Sequence, residues 1–255
     1  MYKRIKPAYP LRQWGICGYR GDGKSSFVAA MRQPILAIDT DHHIQHVVNR
    51  GADIMMLSDD PAILRDPAKI AELLMTHGAG GAGTVSFDSL TAILKPLNAM
   101  AVTKNRSGSV KNKASSFIEK ANAMELILGA VTATGVDTTF IWHLEDGKDA
   151  NGKDIVHETI STTELAKMHR CLNAVIRIGK DFNLRKRYAE VIWNREGVRK
   201  QPDGKPLIFY DELGWWKGVP EQIEAALYAG VFGTESRGGE PTVHAHAGAE
   251  LEVVS

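Results

Sequence analysis

The chain has 255 residues, of which 44% are hydrophobic and 24% charged, enough for one large domain with a full core. A net charge of +1 excludes a polycation that would hold nucleic acid over its whole surface. No apolar run approaches the roughly 20 residues of a membrane-spanning helix. Cys17 and Cys171 are the only cysteines and lack metal-ligand spacing, and the charged stretch Met1 to Pro7 has no apolar segment behind it. Free thiols in a reducing cytoplasm and no secretory signal are the expectation.

In chain order, Gln13-Trp14-Gly15-Ile16-Cys17 reads as a short buried strand and Ser25 to Met31 as the start of a helix. Between them Gly18-Tyr19-Arg20-Gly21-Asp22-Gly23-Lys24-Ser25 fits G-x-x-x-x-G-K-[ST], the phosphate-binding loop of nucleoside-triphosphate enzymes. A triphosphate needs backbone N–H groups wrapped around its oxygens, and residues without bulky side chains let the backbone come close. Gly18, Gly21 and Gly23 supply the turns, Lys24 a cation for the outer phosphates and Ser25 a hydroxyl for Mg²⁺, with Asp22 and Ser26 completing the expected nucleotide-binding set. ATP and Mg²⁺ are the implied ligands. The absence of an Asn-Lys-x-Asp guanine-reading motif favours ATP over GTP.

Strand and helix signals then alternate, which predicts an α/β fold with a mainly parallel sheet flanked by helices. Pro34 to Asp39 and Asp53 to Leu57 read as strands, and Pro61 to His77 as a helix with Ile63, Ile70, Leu73 and Leu74 at helical spacing. Thr84-Val85-Ser86-Phe87-Asp88 reads as a strand ending in an acid, Ser89 to Met100 as a helix, 103–113 as a polar basic loop, and Ala114 to Ala133 as a helix. Thr138 to His143 reads as a strand, Glu145 to Thr163 as a long loop or hairpin, and Ala174 to Ile178 and Tyr188 to Trp193 as strands. Leu207 to Tyr210 is placed to close the sheet, and Pro220 to Tyr228 reads as a helix. The division expected is a core over 1–232 and an acidic, flexible tail over 233–255.

A phosphate loop needs acids nearby to hold Mg²⁺ and to activate water. Asp88, at a strand end, is the candidate for the metal's water shell, and the segment Ile38-Asp39-Thr40-Asp41 offers two more carboxylates. On these motifs the chain resembles RecA and the broader RecA-like ATPases, including phage-type recombination and single-strand annealing ATPases. The resemblance implies that Asp41, where RecA has Glu, is the catalytic carboxylate, with Asp39 in support. It implies that His143, ending Phe140-Ile141-Trp142-His143, senses the terminal phosphate. It implies further that Arg195, in Val191-Ile192-Trp193-Asn194-Arg195-Glu196, reaches the nucleotide of a neighbouring subunit, with Trp193 replacing the family's other cation.

RecA-like recombinases bind single strands through two loops, which the resemblance places here after the helix that follows Asp88 and after His143. The first carries Lys104, Arg106, Lys111 and Lys113, and so has the cations a phosphate backbone requires. The expected function is an ATP-hydrolysing protein acting on single-stranded DNA in recombination, annealing or repair, assembled as a ring or filament. An ATP-dependent switch or loader acting on a recombination or replication protein is the alternative, and a structural protein that keeps nucleotide only for folding is a third class. His42 and His46 share a helical face, but no third ligand is placed beside them, so packing or surface roles are expected. Trp215-Trp216 is expected in the core or a subunit contact.

Overall fold

The computed structural model describes residues 8–108, 115, 117–149, 151–198, 200 and 204–232. One mixed sheet runs through it in the order β3 (Ile54–Met56), β2 (Ile35–Asp39), β4 (Thr84–Asp88), β5 (Asp137–Lys148), β1 (Gln13–Gly18), β7 (Ala174–Asp181), β8 (Lys186–Asn194), β9 (Ile208–Tyr210). The six strands from β3 to β7 are parallel to one another, while β8 and β9 return antiparallel. Their near-continuous apolar sequences follow from burial on both faces. The carboxyl ends of β1, β2, β4 and the parallel part of β5 therefore meet at one edge, where ligands of such sheets bind.

Helices cover both faces. On one, α4 (Pro67–His77), α5 (Leu90–Arg106) and α6 (Ile118–Thr134) pack Ile70, Leu74, Leu94, Met124 and Ile127 over Phe87, Phe140 and Trp142. The rings of Phe87 and Phe140 stack at 5.1 Å. On the other, α1 (Lys24–Val28) and α8 (Val219–Phe232) enclose Trp14, Phe27, Trp216, Ile223 and Leu227. Phe27 meets Trp216 edge-on at 5.3 Å, which fixes α1 against the core directly behind the phosphate loop. Trp216 is fully buried, whereas Trp215 is half-exposed under the guanidinium of Arg50.

Several expected boundaries move. The helix expected over 61–77 is two, α3 (Pro61–Leu64) and α4, because the Asp66 side chain accepts from Ala68 N–H and caps a new helix that starts at Pro67. The helix after Asp88 continues to Arg106, so Lys104 and Arg106 lie on its last turn and not in a loop. Ala99 to Val102 sustain it past Pro96, and cations suit its carboxyl end. The segment after His143 is a hairpin of β5 with β6 (Asp154–Glu158), followed by α7 (Thr162–Met168). That helix starts at a capping box in which Ser161 and Glu164 satisfy each other's backbone N–H. Lys111, Lys113 and the expected tail over 233–255 lie outside the described residues. No described helix is long and apolar enough to cross a membrane.

One buried polar knot ties α8 to the sheet. Arg12 is 3% exposed; its guanidinium pairs with Glu224 at 2.9 Å and Glu221 at 3.0 Å, and its N–H donates to the buried Asp137 at 2.9 Å. Replacing Arg12 by Met leaves Glu224 with only Arg32 at 3.5 Å. Because an uncompensated buried charge costs about 3–5 kcal/mol, Arg12→Met is expected to lose about 3 kcal/mol in urea denaturation. Unchanged stability would mean that the knot contributes nothing.

Candidate functional site

The phosphate loop leaves β1 at the sheet's carboxyl edge and enters α1 directly. Gly18 passes so close to β7 that a Cβ there would lie 2.4 Å from the Ile178 carbonyl oxygen, and Gly23 holds φ +98°, which disfavours any side chain. Asp22 shapes the loop from within: its carboxylate accepts from Tyr19 N–H at 3.0 Å and pairs with Lys180 at 3.7 Å. It thus braces the loop instead of projecting toward a ligand. The Tyr19 hydroxyl donates to Asp146 at 2.7 Å, linking the loop to the β5–β6 hairpin.

Lys24 is buried, and its ammonium donates to the carbonyls of Gly18 at 2.9 Å and Tyr19 at 2.8 Å. Burial pushes its pKa down, against the opposing pull of Asp88 and Asp22. Beside it the Ser25 hydroxyl donates to Asp88 Oδ2 at 2.5 Å. Asp88 is buried at the end of β4. Burial pushes its carboxyl up to about 6, with Asp39 and Asp41 adding to the rise while Ser25 opposes it.

Asp39 lies opposite Asp88 in the β2–β4 register. It does not face the ligand cleft: its two oxygens accept from His43 N–H at 3.2 Å and Ile44 N–H at 2.9 Å, fixing the turn that carries Asp41. Thr40 locks this turn to β4. Its N–H donates to the Asp88 carbonyl at 2.8 Å, and its hydroxyl accepts from Ser89 N–H at 2.9 Å. Asp41 then accepts from the Ser89 hydroxyl at 3.0 Å, with His143 Nε2 at 3.7 Å. His143, helped by Ser89, holds the Asp41 carboxyl below the usual range, so this partly exposed group stays ionised at neutral pH. His143 sits beside Gly18 in the β1–β5 register, at the same sheet edge.

A cleft of about 460 Å³ gathers Lys24, Ser25, Ser26, Asp41, Asp88 and His143, with Gly21 and Gly23 in its floor. The set fits a magnesium-bound triphosphate. A mobile cation's charge would relieve the buried, ionised Asp88, whose hydroxyl neighbour is the Ser25 expected to join it. Four further polar side chains in the wall, Arg20, His43, His46 and Arg187, are not assigned to the site by the sequence, which gives His46 only a packing or surface role. The run Arg185-Lys186-Arg187 was the available signal, but strand pairing decides which of its cations turns inward.

Arg195 lies elsewhere. It follows the end of β8 at the opposite edge of the sheet, where its guanidinium donates to the carbonyls of His169 at 3.2 Å, Arg170 at 2.8 Å and Leu172 at 3.1 Å. Within one chain it braces the turn between α7 and β7. Lys104 is paired with Glu119 at 2.6 Å, while Arg106 is exposed at the end of α5.

No protein-family model and no curated protein matches the sequence. Among solved structures, a RadB recombinase shares 14% identity, with 79% of this chain and 87% of that one covered and a TM-score of 0.47. The KaiC-like protein PH0186 of Pyrococcus horikoshii OT3 shares 13%, with 81% and 88% covered and a TM-score of 0.47. At such identity no residue role carries over, and the site is defined by its own geometry.

The raised pKa of Asp88 has a definite sign. The unfolded carboxyl titrates near 4, so between roughly pH 4 and pH 6 the folded chain holds a proton that the unfolded chain releases. Ionised Asp88 therefore costs stability at pH 7, and that cost is relieved as the pH falls through about 6. Asp88→Asn is expected to stabilise the ligand-free protein at pH 7 by on the order of 1 kcal/mol, read by urea denaturation, while weakening Mg²⁺-dependent nucleotide binding. A less stable variant would show that the charge is not the strained element.

Proposed function

We propose that the chain binds and hydrolyses ATP with Mg²⁺, in the manner of RecA-like ATPases, and acts on single-stranded DNA in recombination, annealing or repair as a ring or filament. The observation that carries the hydrolytic part is the convergence of Lys24, Ser25, Asp88 and Asp41 on one cleft, with Asp41 ionised and positioned by Ser89 and His143. Bound Mg²⁺ would neutralise phosphate charge, held by Ser25 and by Asp88 through its water shell. Lys24 supports charge on the outer phosphates. Asp41 orients a water and accepts its proton, and His143, 3.7 Å away, can donate to a phosphate oxygen or steady Asp41.

Lys24→Ala is expected to abolish turnover with the fold outside the loop unchanged. Asp41→Asn is expected to bind ATP as the wild type does and to lose turnover by about 10²–10⁴-fold, since an amide cannot accept the proton. Steady-state hydrolysis beside equilibrium binding separates the two, and normal turnover in Asp41→Asn would hand the role to another acid.

The DNA part rests on Lys104, Arg106, Lys111 and Lys113. Neutralising all four is expected to lower the log–log salt slope of single-strand binding by roughly 0.7 per lost phosphate contact; an unchanged slope would remove the segment from the DNA interface. The Lys104–Glu119 pair favours the second reading, an ATP-dependent switch or loader on a protein partner, because it already neutralises one of these cations.

Assembly enters through Arg195. A trans role requires a neighbour's nucleotide to compete for the three carbonyls that the guanidinium now caps. Specific activity that rises with protein concentration, and falls by on the order of 10³-fold in Arg195→Ala, would support it. Loss of thermal stability with no concentration dependence would assign Arg195 to bracing alone.

A further inference from the structure

We propose that Arg187 is a phosphate-contacting residue acting in cis, a second cation beside Lys24 that recognises the terminal phosphate of a nucleoside triphosphate. The inference rests on the nucleotide reading above and assigns a role that neither the loop motif nor the acids supply.

Three observations carry it. The first is position. Arg187 sits at the start of β8, paired with Lys180 of β7, and its carbonyl accepts from Asp211 N–H at 3.0 Å. Next to it the Tyr188 ring covers Gly179, where a Cβ would come within 2.6 Å of the phenol oxygen. The backbone of Arg187 is thus held from both sides by rigid strands, the condition for a precisely placed site residue.

The second is direction. The guanidinium lies against the phosphate loop: a Cβ built on Gly23 would be 3.2 Å from Nη1, 3.3 Å from Cζ and 3.4 Å from Nε. Gly23 immediately precedes Lys24, and Arg187 lines the same cleft as Lys24 and Ser25.

The third is pairing. Three cations of the same hairpin have acidic partners: Lys180 with Asp22 at 3.7 Å, Lys186 with Glu212, and Arg177 with Glu190. Among the described residues Arg187 has no such partner for its side chain, although it lies in a cleft that already contains Lys24 and Arg20. Asp41 and Asp88 line the same cleft but neither pairs with Arg187, and a cation left without an acidic partner beside a phosphate loop suits an anionic ligand. A guanidinium presents a planar fork suited to two phosphate oxygens. Arg187 reaches the loop from β8 and shares the cleft with Asp41 and Asp88, the acids assigned above to the water and the metal, so on that reading the phosphate lying between them is the outermost. The residue therefore discriminates a triphosphate from a diphosphate.

Equilibrium calorimetry with the full chain tests this, titrating Mg²⁺-ATP and Mg²⁺-ADP into wild type, Arg187→Ala and Arg187→Lys. Arg187→Ala is expected to weaken ATP by about tenfold or more, the scale of one charge-assisted hydrogen bond, and ADP by less than about threefold. Arg187→Lys should fall between, because it keeps the charge and loses the fork. Should Arg187→Ala not fold, Arg187→Gln against Arg187→Lys makes the same comparison. Wild-type binding with unchanged affinities in the variants overturns the role of Arg187 alone, as does equal weakening of ATP and ADP. A wild type that binds neither nucleotide overturns the phosphate-loop reading and removes the ligand of Arg187 with it.

Discussion

The site depends on the tie between the carboxyl ends of β2 and β4. Thr40 bridges to the Asp88 carbonyl and to Ser89, so the turn bearing Asp41 cannot shift without moving the strand that bears Asp88. Asp39 clamps the same turn from within through His43 and Ile44. Two carboxylates with different duties are thereby placed by backbone geometry, and their side chains need little freedom of their own.

Their environments then separate them. Asp88 is wholly buried and pushed up to about 6, a charge in need of a cation. Asp41 is partly exposed and held low by His143 and Ser89, a charge available to water. Neighbouring titratable groups with opposed shifts are the usual mark of divided acid–base labour. The apolar packing behind them, Phe27 on Trp216 and Phe87 on Phe140, keeps the loop and the strand ends at fixed separation.

Much of this was legible in the sequence, and for local reasons. The phosphate loop announces itself by glycine spacing, and strands buried on both faces read as apolar runs ending in Asp39, Asp88 and His143. Pro67 after Asp66 carried the signal that splits the helix, and Ser161 with Glu164 carried the one that starts α7; both are short-range rules. What was not legible depends on long-range pairing. The register of β8 against β7 decides that Arg187 faces the loop while Arg195 lands at the far edge on three carbonyls. Nor does any local pattern show that Asp22 turns inward to Tyr19 and Lys180, or that Lys104 meets Glu119 across two helices.

The most direct measurement is thermal unfolding with a non-hydrolysable ATP analogue, with and without Mg²⁺. A buried, unpaired Asp88 beside Ser25 calls for stabilisation that needs triphosphate and metal together, about 2.7 kcal/mol at a hundredfold excess over Kd. That stabilisation should shrink sharply when Mg²⁺ is chelated. An equal shift without Mg²⁺, or no shift at saturating analogue, would contradict a metal-assisted nucleotide site at this loop.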